Sequence, residues 1–76
     1  MALSYKKAKK LMQNEGYYLH VIIEDGKIDK VVLRKENEEE TLTVQKDGGI
    51  KISTECYIVS REDNTFVMAL ENEDEF

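Results

Sequence analysis

The sequence has no proline and no tryptophan, and only one cysteine and one histidine in 76 residues. One cysteine cannot close an intramolecular disulfide, so a stapled secreted mini-domain is excluded and a reducing, cytoplasmic setting is expected. No unbroken apolar run approaches the roughly 20 residues of a membrane helix, so no spanning segment is expected. The N-terminal lysines are not followed by an apolar stretch, and no signal peptide is expected either.

The same scarcity limits the chemistry. A zinc site needs about four clustered Cys, His or carboxylate ligands, and His20 and Cys56 stand far apart. A nucleophilic triad needs a base beside its Ser or Cys. His20 lies between Leu19 and Val21, in a strand pattern and without a Gly-x-Ser-x-Gly elbow. Gly16, Gly26, Gly48 and Gly49 fall in turns or a helix cap, and no glycine-rich loop is placed to cradle phosphate. The expectation is a protein without catalytic residues, cofactor or metal.

Charge is plentiful but uneven. Against 16 Asp and Glu stand 11 Lys and Arg, for a net charge of −5. By segment the balance is +3 over residues 1–16, zero over 17–34, −2 over 35–46 and −6 over 47–76. A uniformly basic nucleic-acid binder is excluded, whereas a polarised surface is not. With 41% hydrophobic residues, rich in Ile, Val and Leu, the chain can build a core, and its length allows one domain near the lower limit for folding without staples.

Residues 4–15 read as an amphipathic helix. Ser4 is a natural N-cap, Tyr5, Ala8, Leu11 and Met12 form one apolar stripe, and Gly16 supplies the C-terminal cap. From Tyr17 the period changes to 2. A strand to Glu24, a turn at Asp25-Gly26 and a return from Lys27 to Lys35 form a hairpin. A two-residue turn would pair Ile23 with Ile28 and Leu19 with Val32. A glycine-bulge turn pairs Leu19 with Val31 and Tyr17 with Leu33, and this register is preferred because more apolar residues meet.

A further strand runs from Thr41 to Lys46, with Leu42 and Val44 inward. Asp47-Gly48-Gly49 turns it into Ile50 and Ile52, which continue the alternation. Tyr57-Ile58-Val59 and Thr65–Leu70 complete the set around a turn at Asp63-Asn64. The fold expected is α+β: the helix packed on an antiparallel meander of about five strands that curls toward an SH3- or OB-like half barrel. Residues 1–70 form the domain and 71–76 an acidic tail. Apolar edges at Tyr57–Ser60 or Phe66–Leu70 offer a route to a homodimer.

Two binding surfaces compete. The acids Glu38, Glu39 and Glu40, with Glu71, Glu73, Asp74, Glu75 and the terminal Phe76, form a face suited to a protein partner with a basic surface. The expected function is that of a small non-enzymatic accessory or regulatory protein acting through this face. The alternative is a small single-stranded nucleic-acid binder. It would use Lys6, Lys7, Lys9 and Lys10 for phosphate and Tyr5, Tyr17 and Tyr18 as stacking platforms, nucleic acid being the secondary choice of partner.

The last four residues, Glu73-Asp74-Glu75-Phe76, resemble the acidic tips of bacterial and phage single-stranded-DNA-binding proteins, which end in carboxylates and a phenylalanine. The resemblance implies a tip that recruits replication or repair partners through the Phe76 ring and its α-carboxylate, while its acids compete with DNA for a basic groove. It covers six residues, from Glu71 to Phe76, and lacks the long linker and the tip proline of that family. It agrees with a bacterial or phage style of sequence rich in Glu, Lys, Asn and Ile.

Overall fold

A computed structural model describes residues 2–71 of the chain. Helix α1 spans Tyr5–Glu15. The Ser4 hydroxyl accepts the Lys7 N–H at 3.3 Å, and Gly16 ends the helix in the left-handed region at φ 81°. Tyr5, Ala8 and Met12 are the buried stripe of this helix and Leu11 packs beside them, as the 3.6-residue spacing requires.

Five antiparallel strands follow: β1 Tyr17–Glu24, β2 Lys27–Lys35, β3 Thr41–Val44, β4 Cys56–Glu62 and β5 Thr65–Leu70. The α+β architecture of a helix on five strands is therefore the observed one. The strands form one open sheet in the order β3-β2-β1-β5-β4. Only β1 to β3 form a continuous meander. The β4–β5 hairpin docks on it through β5, leaving β3 and β4 as the edges. Phe66–Leu70, expected as an edge, is thus an interior strand between β1 and β4.

At its turn the hairpin takes the two-residue register, which is not the preferred one, and beyond Ile23 it takes neither of the two expected. Asp25 and Gly26 both take positive φ, 54° and 76°, which makes a two-residue turn of the primed type. Ile23 faces Ile28, and the register then shifts, so that Ile22 faces Lys30, Val21 faces Val31 and Leu19 faces Leu33. The extra residue lies in β2 at Asp29 and not in the turn. Ile28 and the pair Val31/Leu33 differ in parity, so strict alternation would put them on opposite faces. The bulge brings all three to the core side.

A second departure lies after β3. Ile50 and Ile52 do not continue a strand: a 3₁₀ turn at Lys46–Gly48 leads into a short helix, α2, Gly49–Glu55. Ile52 is buried while Ile50 is 81% exposed, the outcome for two residues 200° apart on a helix. A Cβ at Gly48 would lie 2.9 Å from the Tyr5 Cβ, so this bend presses directly against α1.

One core results. Leu19, Val21, Val31, Leu33, Val44 and Met68 from the sheet meet Tyr5, Ala8 and Met12 from α1 and Ile52 from α2. Both helices thus lie on the same sheet face. No helix among the described residues is long and apolar enough to cross a membrane.

Candidate functional site

Strand alternation splits the sheet into a covered and an uncovered face. Tyr17 packs against the core, so its neighbour Tyr18 points the other way. Tyr18, His20 and Ile22 on β1, Val32 and Arg34 on β2, and Val67 on β5 share the uncovered face, as the pairings His20–Val32 and His20–Val67 require. A groove of about 720 Å³ crosses this face. Its floor is formed by Tyr18, His20 and Val67, one wall by Val59 and Ser60 of β4, and the other by Arg34, Lys35 and the loop Glu36–Glu39.

Burial lowers the basicity of His20, and the nearby Arg34 guanidinium lowers it further, while Glu62 acts in the opposite sense. The imidazole is therefore neutral near pH 7 and offers the groove a donor and an acceptor. Lys35 extends its ammonium over the Tyr17 ring, 5.2 Å from the centroid.

The topology sorts the acids into two groups. The Tyr17–Lys35 and Cys56–Leu70 pairs mark one end of the sheet, and Glu36, Glu38, Glu39 and Glu40 follow directly from it in an exposed loop. Glu71 lies at this same end, its N–H donating to the Glu55 carbonyl at 3.0 Å. Glu24, Asp25, Glu62 and Asp63 lie at the opposite end, where the Ile23 N–H donates to the Asn64 carbonyl. The loop acids and the start of the acidic tail are thus brought together. Glu38 and Glu39 line the groove. Glu71 lines a neighbouring hollow of about 550 Å³ that shares Tyr18 with it. Glu73, Asp74, Glu75 and Phe76 lie outside the described residues.

The nucleic-acid candidates are not brought together in the same way. Tyr5 is buried and unavailable for stacking. Its hydroxyl donates to Glu55 Oε1 at 3.0 Å and meets Cys56 Sγ at 3.7 Å. Burial, with the Cys56 and Glu55 contacts, raises its pKa far above the ordinary phenol value. Lys9 is bound to Glu55 at 3.1 Å, and its ammonium lies 5.7 Å from the Tyr5 ring centroid. Lys6, Lys7 and Lys10 are exposed, but Tyr17 faces the core and Tyr18 the uncovered face. Among the described residues no base platform stands beside the lysines.

Cys56 is buried in the core, and that burial pushes its thiol up and disfavours the thiolate. Among the described residues no group of three His, Cys, Asp or Glu is placed to hold a metal ion. The groove residues His20, Arg34, Val59, Ser60 and Val67 were not marked as a site in the sequence. The signal for part of it was the alternation that sets Tyr18, His20 and Ile22 opposite Leu19, Val21 and Ile23. No protein-family model, no curated protein and no solved structure matches the chain.

Proposed function

We propose that the chain is a small non-enzymatic accessory protein that takes up a basic segment of a protein partner along its uncovered sheet face. The observation that carries this reading is the gathering of Glu36, Glu38, Glu39, Glu40 and Glu71 at one end of the sheet, beside a groove floored by Tyr18 and Val67. Carboxylates at the rim attract Lys and Arg and speed encounter. The apolar floor gives an adjoining side chain a place to leave water. Neutral His20 fixes polar groups of the bound segment without adding charge.

The test uses a defined probe, a peptide of alternating lysine and leucine, titrated into the nitrogen-labelled full chain. Amide shifts are expected at Tyr18, His20, Val67 and residues 36–40. Binding should weaken as salt rises past about 0.1 M, where screening sets in beyond about 10 Å. The combined variant Glu38→Lys, Glu39→Lys, Glu40→Lys should abolish it, while Lys6→Gln, on the far helix, should not. Binding that ignores salt, or that survives the charge reversal, overturns the reading.

A further inference from the structure

The two edges of the sheet are not alike. On the β3 side the edge is four residues long and is closed by the segment before α1. Leu3 pairs with Val44 in a parallel bridge, its N–H donates to the Thr43 carbonyl, and its carbonyl accepts the Gln45 N–H, both at 2.8 Å. The β4 side is seven residues long and, among the described residues, has no strand beyond it. It exposes three consecutive large apolar residues: Tyr57 at 50%, Ile58 at 53% and Val59 at 46%. Long apolar edges are templates for further strands, and folds usually blunt them. Here one edge is blunted and the other is left open.

We propose that β4 pairs with β4 of a second copy, antiparallel about a two-fold axis, to make a continuous ten-stranded sheet. The composition of the strand favours a second copy as occupant, because β4 is complementary to itself, best in one register. The register shift between Ile58 and Ser60 leaves Tyr57, Ser60 and Glu62 on the uncovered face, opposite Ala69, Val67 and Thr65 of β5. Cys56, Ile58 and Arg61 lie on the covered face, opposite Leu70, Met68 and Phe66. In an antiparallel pair about an axis normal to the sheet, opposed residues must share a face.

An axis through Val59 sets Tyr57 against Arg61 from opposite faces and fails. An axis between Ile58 and Val59 matches faces, but it sets the buried Cys56 thiol against Arg61 and gives Glu62 no partner within the strand, and is the weaker. An axis between Val59 and Ser60 matches faces without either fault. Tyr57 then faces Glu62 of the second copy, hydroxyl to carboxylate, and Ile58 faces the aliphatic stem of its Arg61, twice over by symmetry. This pairing needs no ligand in the groove, and Val59 and Ser60 at its axis also wall that groove.

Sedimentation velocity of the full chain from micromolar to millimolar concentration tests it. The expected result is a monomer–dimer equilibrium, with amides of β4 gaining protection from hydrogen exchange as the dimer fills. Ile58→Lys, which meets Arg61, and Tyr57→Glu, which meets Glu62, both at half-exposed positions, should each weaken association at least about tenfold. Thr43→Lys on the closed edge should leave it unchanged, and circular dichroism verifies that each variant is folded. A chain that sediments as a monomer throughout overturns the proposal. So does a dimer that survives both β4 variants, or one lost on Thr43→Lys. Protection of β4 that appears only when a different protein is added also overturns it.

Discussion

The Tyr5 hydroxyl donates to Glu55 Oε1 at 3.0 Å and ties the first turn of α1 to the last residue of α2. Lys9, one turn along α1, holds the same carboxylate oxygen at 3.1 Å. Glu55 is accordingly held below the ordinary carboxylate range, first by Lys9 and then by Tyr5. Tyr5→Phe keeps the ring in the core and removes only the hydroxyl. The variant is expected to unfold at a lower urea concentration than the parent, because a hydrogen bond to a charged group is lost. Because folding lowers the Glu55 pKa, its contribution is complete above about pH 4.5 and is lost as pH falls below that value. A Tyr5→Phe protein as stable as the parent at neutral pH would show that the link carries no stability.

Gly48 and Gly49 look equivalent in sequence and are not. A Cβ at Gly48 meets the Tyr5 Cβ at 2.9 Å, close to the helix backbone. Gly48→Ala should cost about 1–3 kcal/mol, the range for overpacking a fixed contact. At Gly49 the neighbour is Ile28 Cδ1 at 3.1 Å, the tip of a side chain that can turn away. Alanine there also gains about 0.4–1 kcal/mol from a stiffer unfolded chain, because Gly49 already holds a right-handed helical conformation. Gly49→Ala should therefore be nearly neutral. Equal costs at the two positions in parallel melts would refute the assigned contacts.

The contrast shows which parts of the fold were legible. Helix α1 was readable because Tyr5, Ala8, Leu11 and Met12 repeat over three turns between a Ser cap and a Gly cap, all local features. Helix α2 was not, because seven residues give under two turns. Ile50 and Ile52, two apart, mimic a strand, and the bend is packed at Gly48 against Tyr5, a residue distant in sequence. The strand order was hidden for a related reason: local alternation says which face a residue takes and not which strand lies beside it. One clue to the interior place of β5 was present. Phe66-Val67-Met68-Ala69-Leu70 is apolar without interruption, as suits a strand with neighbours on both sides. The acidic end was legible as composition, but its gathering depends on the sheet ends coinciding. The groove floor depends on β5 lying beside β1, and no short window contains that.

His20 makes stability depend on mild acid. Folding lowers its pKa, so the unfolded chain binds the proton more tightly than the folded one. The contribution is complete above about pH 6.5, the ordinary value, and declines as pH falls below it. Unfolding midpoints in urea should drop between pH 7 and pH 5 in the parent, and His20→Thr should flatten that slope. A parent whose midpoint is flat or rises toward pH 5, or a variant with the same slope, contradicts the assignment.

Nucleic acid provides the last check. Phosphate binding scales with the lysines and arginines that can reach the strand, and stacking needs an exposed ring near them. Lys6, Lys7 and Lys10 are exposed, but Lys9 is paired with Glu55 and Tyr5 is buried. The net charge of −5 works against approach. At low salt, neither the full chain nor one ending at Leu70 should retain a labelled single-stranded oligothymidine in a gel shift or anisotropy titration. Removing residues 71–76 takes away four acids and leaves the chain near neutral, so the second measurement separates repulsion from the absence of a platform. Binding by the shortened chain alone would assign the tail a competing role and give the lysine face the function. Binding by both would show that α1 holds nucleic acid without a tyrosine beside it, and the groove would then no longer be the first place to look for a partner.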